Sequence, residues 1–196
     1  HEPMSAGRQM VGTFSNKWID ENGNWLDQTK QINHISDVSS IGAQMPRLVG
    51  LAQASKIYRK LDIGGSEKFS KNGNEIAWGT IGNAGTSEGI FFEAINAIGV
   101  LQIPIVMSVW DDGYGISVKN EKQTTKQSIS DALNGFKKEE DLSGIEILSV
   151  KGWDYSELIK TYYYAAKLAR ENHITGLVHV TELTKTLVHS TTGSHQ

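Results

Sequence analysis

Two loops carry the residues whose types could do chemistry together. Gly82-Asn83-Ala84-Gly85-Thr86-Ser87-Glu88-Gly89 follows one short apolar run, and Trp110-Asp111-Asp112-Gly113-Tyr114-Gly115-Ile116-Ser117 follows another. Asn83 and Asp112 offer hard oxygen ligands, and a tight glycine turn lets a main-chain carbonyl such as that of Tyr114 join them. Mg²⁺ takes oxygens of this kind in octahedral geometry, with diphosphate oxygens completing the shell. A helix beginning near Thr86 would aim free N–H groups and its positive dipole end at the same place, which favours an anion. The two loops therefore read as a divided metal-diphosphate site. The same residues are also ordinary turn formers, and two βα loops would be written with them without any ligand.

The flanking elements must bring these loops together. Residues 75–82 (EIAWGTIG) and 103–111 (IPIVMSVWD) are short apolar, β-branched runs ended by turn residues, and each predicts a buried strand. Between them, residues 86–101 place Ile90, Phe91, Ala94, Ile95, Ile98 and Leu101 at helical spacing, with Thr86 or Ser87 as N-cap. A β-α-β crossover makes its strands parallel, so Asn83 and Asp112 should leave the sheet at one edge, where ligands bind in such folds.

The rest of the chain extends the alternation. Residues 41–61 predict a helix with Met45, Leu48, Leu51, Ala52 and Ile57 toward a core, and 124–138 predict another. Residues 145–150 read as a strand, 155–172 as a helix with Leu158, Ile159, Tyr162, Ala165, Ala166 and Ala169 on one stripe, and 177–183 as a further strand. Tyr162-Tyr163-Tyr164 suits helix packing with exposed hydroxyls better than base stacking. The expected class is α/β, a mostly parallel sheet with helices on both faces.

Composition sets the outer bounds. The 196 residues suffice for one compact domain spanning 1–196, and no proline-rich or charged linker divides them. A net charge of −3, without a basic stripe or a long apolar span, argues against nucleic acid and membrane as partners. The absence of cysteine removes disulfides and thiolate metal sites. No signal peptide is visible, so a cytoplasmic setting is expected. His1, His173, His179 and His195 fall into no metal-spaced cluster and receive no role.

The run GNAGTSEGIFFEAINAIGVLQIPIVMSVWDDGYGIS resembles the thiamine-diphosphate motif of the α chain of 2-oxo acid dehydrogenases, the decarboxylating first component of large multienzyme complexes. That motif opens with Gly-Asp-Gly and closes with Asn-Asn. The family ligates Mg²⁺ through the opening acid, the second residue of the closing pair and the carbonyl of a tyrosine two residues on. The resemblance therefore implies Asn83, Asp112 and Tyr114 as metal ligands, with Gly82, Asn83, Ala84 and Gly85 around the cofactor diphosphate.

Other segments resemble the family in the same order. Gly7-Arg8-Gln9-Met10 resembles the segment whose arginine contacts the diphosphate, which implies Arg8. Ser39-Ser40-Ile41-Gly42-Ala43-Gln44-Met45-Pro46 resembles the segment beside the aminopyrimidine ring, which implies Ser39 and Ile41 as cofactor contacts. His189-Ser190-Thr191-Thr192-Gly193 resembles the His-Ser-Thr-Ser loop, which implies His189 as a diphosphate contact and as the catalytic residue of this chain.

The departures are local. Acid and amide have changed places between Asn83 and Asp112, which keeps one carboxylate beside the metal. Asp111 adds a negative charge that could weaken diphosphate binding or pair with a cation. Ala84 puts a methyl group where a glycine would let backbone approach phosphate. Trp110 stands where branched-chain members often carry an arginine.

The fold implied is the thiamine-diphosphate-binding fold, here expected to be truncated at both ends. The activity implied is that of a 2-oxo acid dehydrogenase, oxidatively decarboxylating a branched-chain 2-oxo acid first and pyruvate next, and acylating a lipoyl group. Thiamine diphosphate and Mg²⁺ are the cofactors implied. The partners implied are a β chain or fused β half supplying the glutamate that activates the aminopyrimidine, and the lipoyl acyltransferase, in an α2β2-type assembly. A non-catalytic subunit that keeps the sheet but has lost the cofactor is the alternative, supported by Asn83, Ala84 and Trp110.

Overall fold

Strands form where apolar, β-branched residues run unbroken. In the computed structural model, which describes residues 15–36 and 40–183, two such runs become β2 (Ile105–Trp110) and β6 (Gly176–Thr181), each buried at every residue but the last. Burial on both faces is the mark of central strands in a parallel sheet. The flanking strands are β1 (Ala77–Gly82) and β5 (Glu146–Lys151), and the order is β1-β2-β6-β5. All three pairings are parallel, with Ala77 opposite Ile105, Val106 opposite Gly176 and Glu146 opposite Gly176. A small antiparallel hairpin, β3 (Tyr114–Gly115) with β4 (Val118–Lys119), leaves the end of β2.

Helices cover both faces, as expected. Met45, Leu48 and Ala52 from α1 (Gln44–Lys60) and Phe91, Ile95 and Ile98 from α2 (Gly89–Leu101) pack on Ile105, Met107, Val109 and Leu177. On the other face Ala165 and Ala169 of the long helix 155–172 meet Val106, Val150, Val178 and Val180. The β1-α2-β2 crossover moves one way along the sheet and the later crossover moves back toward it. The direction of winding therefore reverses between β2 and β6.

Three expectations need correction. Leu51 and Ile57 point outward at 45% and 37% exposure, because the turn of α1 puts Met45, Leu48, Ala52 and Ser55 on the inner face. Neither Thr86 nor Ser87 caps α2: residues Ala84–Ser87 form a 3₁₀ turn and the helix starts after Glu88. The Thr86 hydroxyl is engaged instead on the Asn83 main-chain oxygen at 2.6 Å. The helix expected over 124–138 is broken, because Lys126 and Gln127 adopt positive φ and Ser128 caps a fresh turn, α3 (Ile129–Ala132). Residues Tyr155–Asn172 form the helix α4 as expected, though Ile159 of its stripe is 52% exposed. No helix among the described residues is long and apolar enough to cross a membrane.

Candidate functional site

The C-terminal ends of β1 and β2 lie side by side, with Gly82 opposite Trp110. The Asn83 N–H donates to the Trp110 carbonyl at 3.0 Å, which locks the two loops at one edge. Asn83 is buried at 3% exposure. Its side-chain nitrogen donates to the main-chain oxygen of Tyr114 at 3.0 Å and to Oδ1 of Asn120 at 2.6 Å. Asp112 turns its carboxylate back over the hairpin, where Oδ1 accepts from the Tyr114 N–H at 3.0 Å. Asn83 and Asp112 thus both engage the main chain of Tyr114, one at its carbonyl and the other at its N–H.

Asp111 faces the other way, into the sheet. Its Oδ1 accepts from the Gly113 N–H and from the Asn120 amide, each at 2.8 Å, and its Oδ2 accepts from His179 Nε2 at 2.9 Å. Burial works to raise the Asp111 pKa, but the hydrogen bonds from His179, Gly113 and Asn120 outweigh it and hold the carboxyl below its usual range. His179 Nδ1 in turn meets Ser130 Oγ at 2.8 Å, and Ser130 meets Ser149 at 3.0 Å. The partner that Asp111 finds is therefore an imidazole from β6, a residue given no role from sequence. Its signal was a histidine inside the apolar run 177–183, at 3% exposure. Asn120 carried no signal at all.

The remaining candidates divide. The Ala84 methyl lies against the hairpin, so closely that a Cβ at Gly115 would fall 2.5 Å from it. Gly85 is wedged between Ile81 and Ile41: a Cβ there would stand 3.0 Å from Ile41 Cγ2. Ile41 therefore borders the first loop while staying 69% exposed, and Gly82 is exposed on the same strand end. Trp110 is 54% exposed at the mouth. Arg8, Ser39 and His189 lie outside the described residues.

The donor chemistry suits a hard cation. Among the described residues no group of three or more His, Cys, Asp or Glu side chains could hold a metal, so a cation here would depend on amide, carboxylate, main-chain and ligand oxygens. Such a set fits Mg²⁺, which keeps few protein carboxylates when phosphate supplies the rest. The Asn83 N–H on the Tyr114 carbonyl puts a partial positive charge at the lone pair a cation would use. A cation on that carbonyl requires the Asn83 side-chain nitrogen to move off it.

The sequence pattern of the family described as "Dehydrogenase E1 component" matches residues 7–180. The chain belongs to that family. It is 29% identical over 170 residues to the 2-oxoisovalerate dehydrogenase subunit alpha of Bacillus subtilis, covering 87% of this chain and 40% of that protein. It is 28% identical over 145 residues to the pyruvate dehydrogenase E1 component subunit alpha of Staphylococcus aureus (74% and 33%), and 25% identical over 147 residues to that of Bacillus cereus (75% and 33%). The chain thus matches well under half the length of these curated relatives. Both loops of the candidate site fall inside the stretch matched by the dehydrogenase E1 component family.

Proposed function

We propose that this chain is the diphosphate-binding half of a thiamine-diphosphate-dependent 2-oxo acid dehydrogenase, working with a β half as a composite active site. The observation that supports the reading is that Asn83 and Asp112, from the two loops, both hydrogen-bond the main chain of Tyr114, Asn83 at its carbonyl and Asp112 at its N–H. In this reading those three hold Mg²⁺, and the loop 82–85 lines the diphosphate. Ile41 and Ser39 border the aminopyrimidine, and Arg8 and His189 complete the anion site. Bound thiamine diphosphate would supply the electron sink for decarboxylation. The chain's own work is to orient that group, neutralise its phosphates and keep Asp111 turned away onto His179.

Substrate and partners follow from kinship. The Bacillus subtilis relative is named for 2-oxoisovalerate, which favours a branched-chain 2-oxo acid, and the Staphylococcus aureus relative is named for pyruvate. A β chain or fused β half, with the lipoyl acyltransferase as acyl acceptor, completes the reaction. The test is a screen of branched-chain 2-oxo acids, pyruvate and 2-oxoglutarate with the complete protein, following acyl transfer to a lipoyl domain. Turnover with a branched-chain acid is expected. Cofactor binding without turnover of any acid would overturn the assignment.

One observation favours a second reading, a non-catalytic subunit: the Asn83 nitrogen, rather than an oxygen, faces the Tyr114 carbonyl. The two readings part on metal-dependent cofactor binding, which only the first requires.

A further inference from the structure

Amide orientation in this loop is not free. An ionised carboxylate only accepts hydrogen bonds, so Asp111 Oδ1, at 2.8 Å from Asn120, must face the Asn120 nitrogen. That leaves the Asn120 oxygen toward residue 83, 2.6 Å from the Asn83 side-chain nitrogen. The Asn83 nitrogen must then be a donor, as it is toward the Tyr114 carbonyl. Asn120 cannot swing away, because its N–H donates to the Gly113 carbonyl at 3.0 Å, and its own carbonyl accepts from Gln123 and Thr124 at 2.9 and 2.8 Å. The far end is equally fixed, since His179 Nε2 holds Asp111 Oδ2 at 2.9 Å.

We propose that Asn120 is a positioning residue that reads the charge at Asp111 and, through its own amide orientation, dictates that residue 83 be an amide presenting its oxygen to a cation on the Tyr114 carbonyl. The inference rests on the cofactor reading for the identity of the cation. With the carbonyl given to Mg²⁺, the Asn83 nitrogen keeps Asn120 and only its oxygen remains for the metal. A carboxylate at 83 would instead set its oxygen against the oxygens of Asn120 and Tyr114. The true counterpart of Asn83 is therefore Asp111, read through Asn120, more than the adjacent Asp112.

An isosteric double-mutant cycle tests this in the complete protein. N83D should lower the melting temperature of the cation-free protein by several degrees and weaken Mg²⁺ binding, titrated with thiamine diphosphate present, about tenfold. D111N lets Asn120 turn over and donate to Asp at 83, though the Gly113 N–H then loses its acceptor at residue 111 and the Tyr114 oxygen still opposes Asp at 83. N83D/D111N should therefore recover part of the loss in melting temperature and less of the loss in Mg²⁺ affinity. In an N120L background the two changes should add without recovery. N120D offers a second variant: its like charge against Asp111 should destabilise, and D111N should relieve it. Additive melting temperatures with Asn120 present would overturn the positioning role. Coupled melting temperatures in a protein that binds no Mg²⁺ would instead overturn the cofactor reading, and with it the cation half of the proposal.

Discussion

The side-chain nitrogen of Asn83 donates to the main-chain oxygen of Tyr114 at 3.0 Å, across the mouths of two parallel strands. A buried amide thereby spans the gap that a divalent cation would bridge. Its partner in the set, Asp112, carries the single carboxylate and, among the described residues, accepts from the Tyr114 N–H.

Asp112→Asn should therefore separate binding from folding. An amide oxygen can still accept from the Tyr114 N–H, so the melting temperature should barely move, while loss of the only charge in the set weakens Mg²⁺ binding tenfold or more. Calorimetric titration and thermal melting on the same sample check it. A large fall in melting temperature would mean that Asp112 is chiefly structural.

Asp111 predicts an acid-range signature. Its folded pKa lies below the ordinary 3.8, so its stabilisation is present above that value and lost as pH falls through the folded one. Urea midpoints measured from pH 5.5 downward should fall less steeply for Asp111→Asn than for the wild type. Parallel slopes would show that the carboxylate gains nothing from His179, Gly113 and Asn120.

Much of this fold was legible because the driving pattern was local. Residues 155–172 held their helix to the residue, and the apolar runs ending near Gly82 and Trp110 became parallel strands because an apolar helix separates them. The bend through 124–138 was hidden, since positive φ at Lys126 and Gln127 is set by packing rather than residue type. Asn83, Asp112 and Tyr114 could be named from loop chemistry. Asn120 and His179 could not, because their roles arise only when β6 and the hairpin come alongside β2.

His179→Leu should be among the more damaging single changes, because it leaves the Asp111 carboxylate buried without its partner. A loss of about 1–3 kcal/mol is expected from urea unfolding. Adding Asp111→Asn should restore a large part of it, and no restoration would argue that His179 matters for packing alone.

The close fit of the two loops predicts a size rule. Gly115→Ala would drive a methyl to 2.5 Å from Ala84 Cβ and 2.6 Å from the Gln123 side chain, costing roughly 1–3 kcal/mol by overpacking. Ala84→Gly should relieve part of that loss. Equal melting temperatures for Gly115→Ala and its double mutant would show that the hairpin yields elsewhere.

Calorimetric titration of thiamine diphosphate into the complete protein carrying both halves, with and without Mg²⁺, bears most directly on the composite site. Binding that requires Mg²⁺ and is weakened by Asp112→Asn is the predicted result. No binding at millimolar cofactor, with Mg²⁺ present and the fold intact, would contradict it and leave the chain a structural subunit.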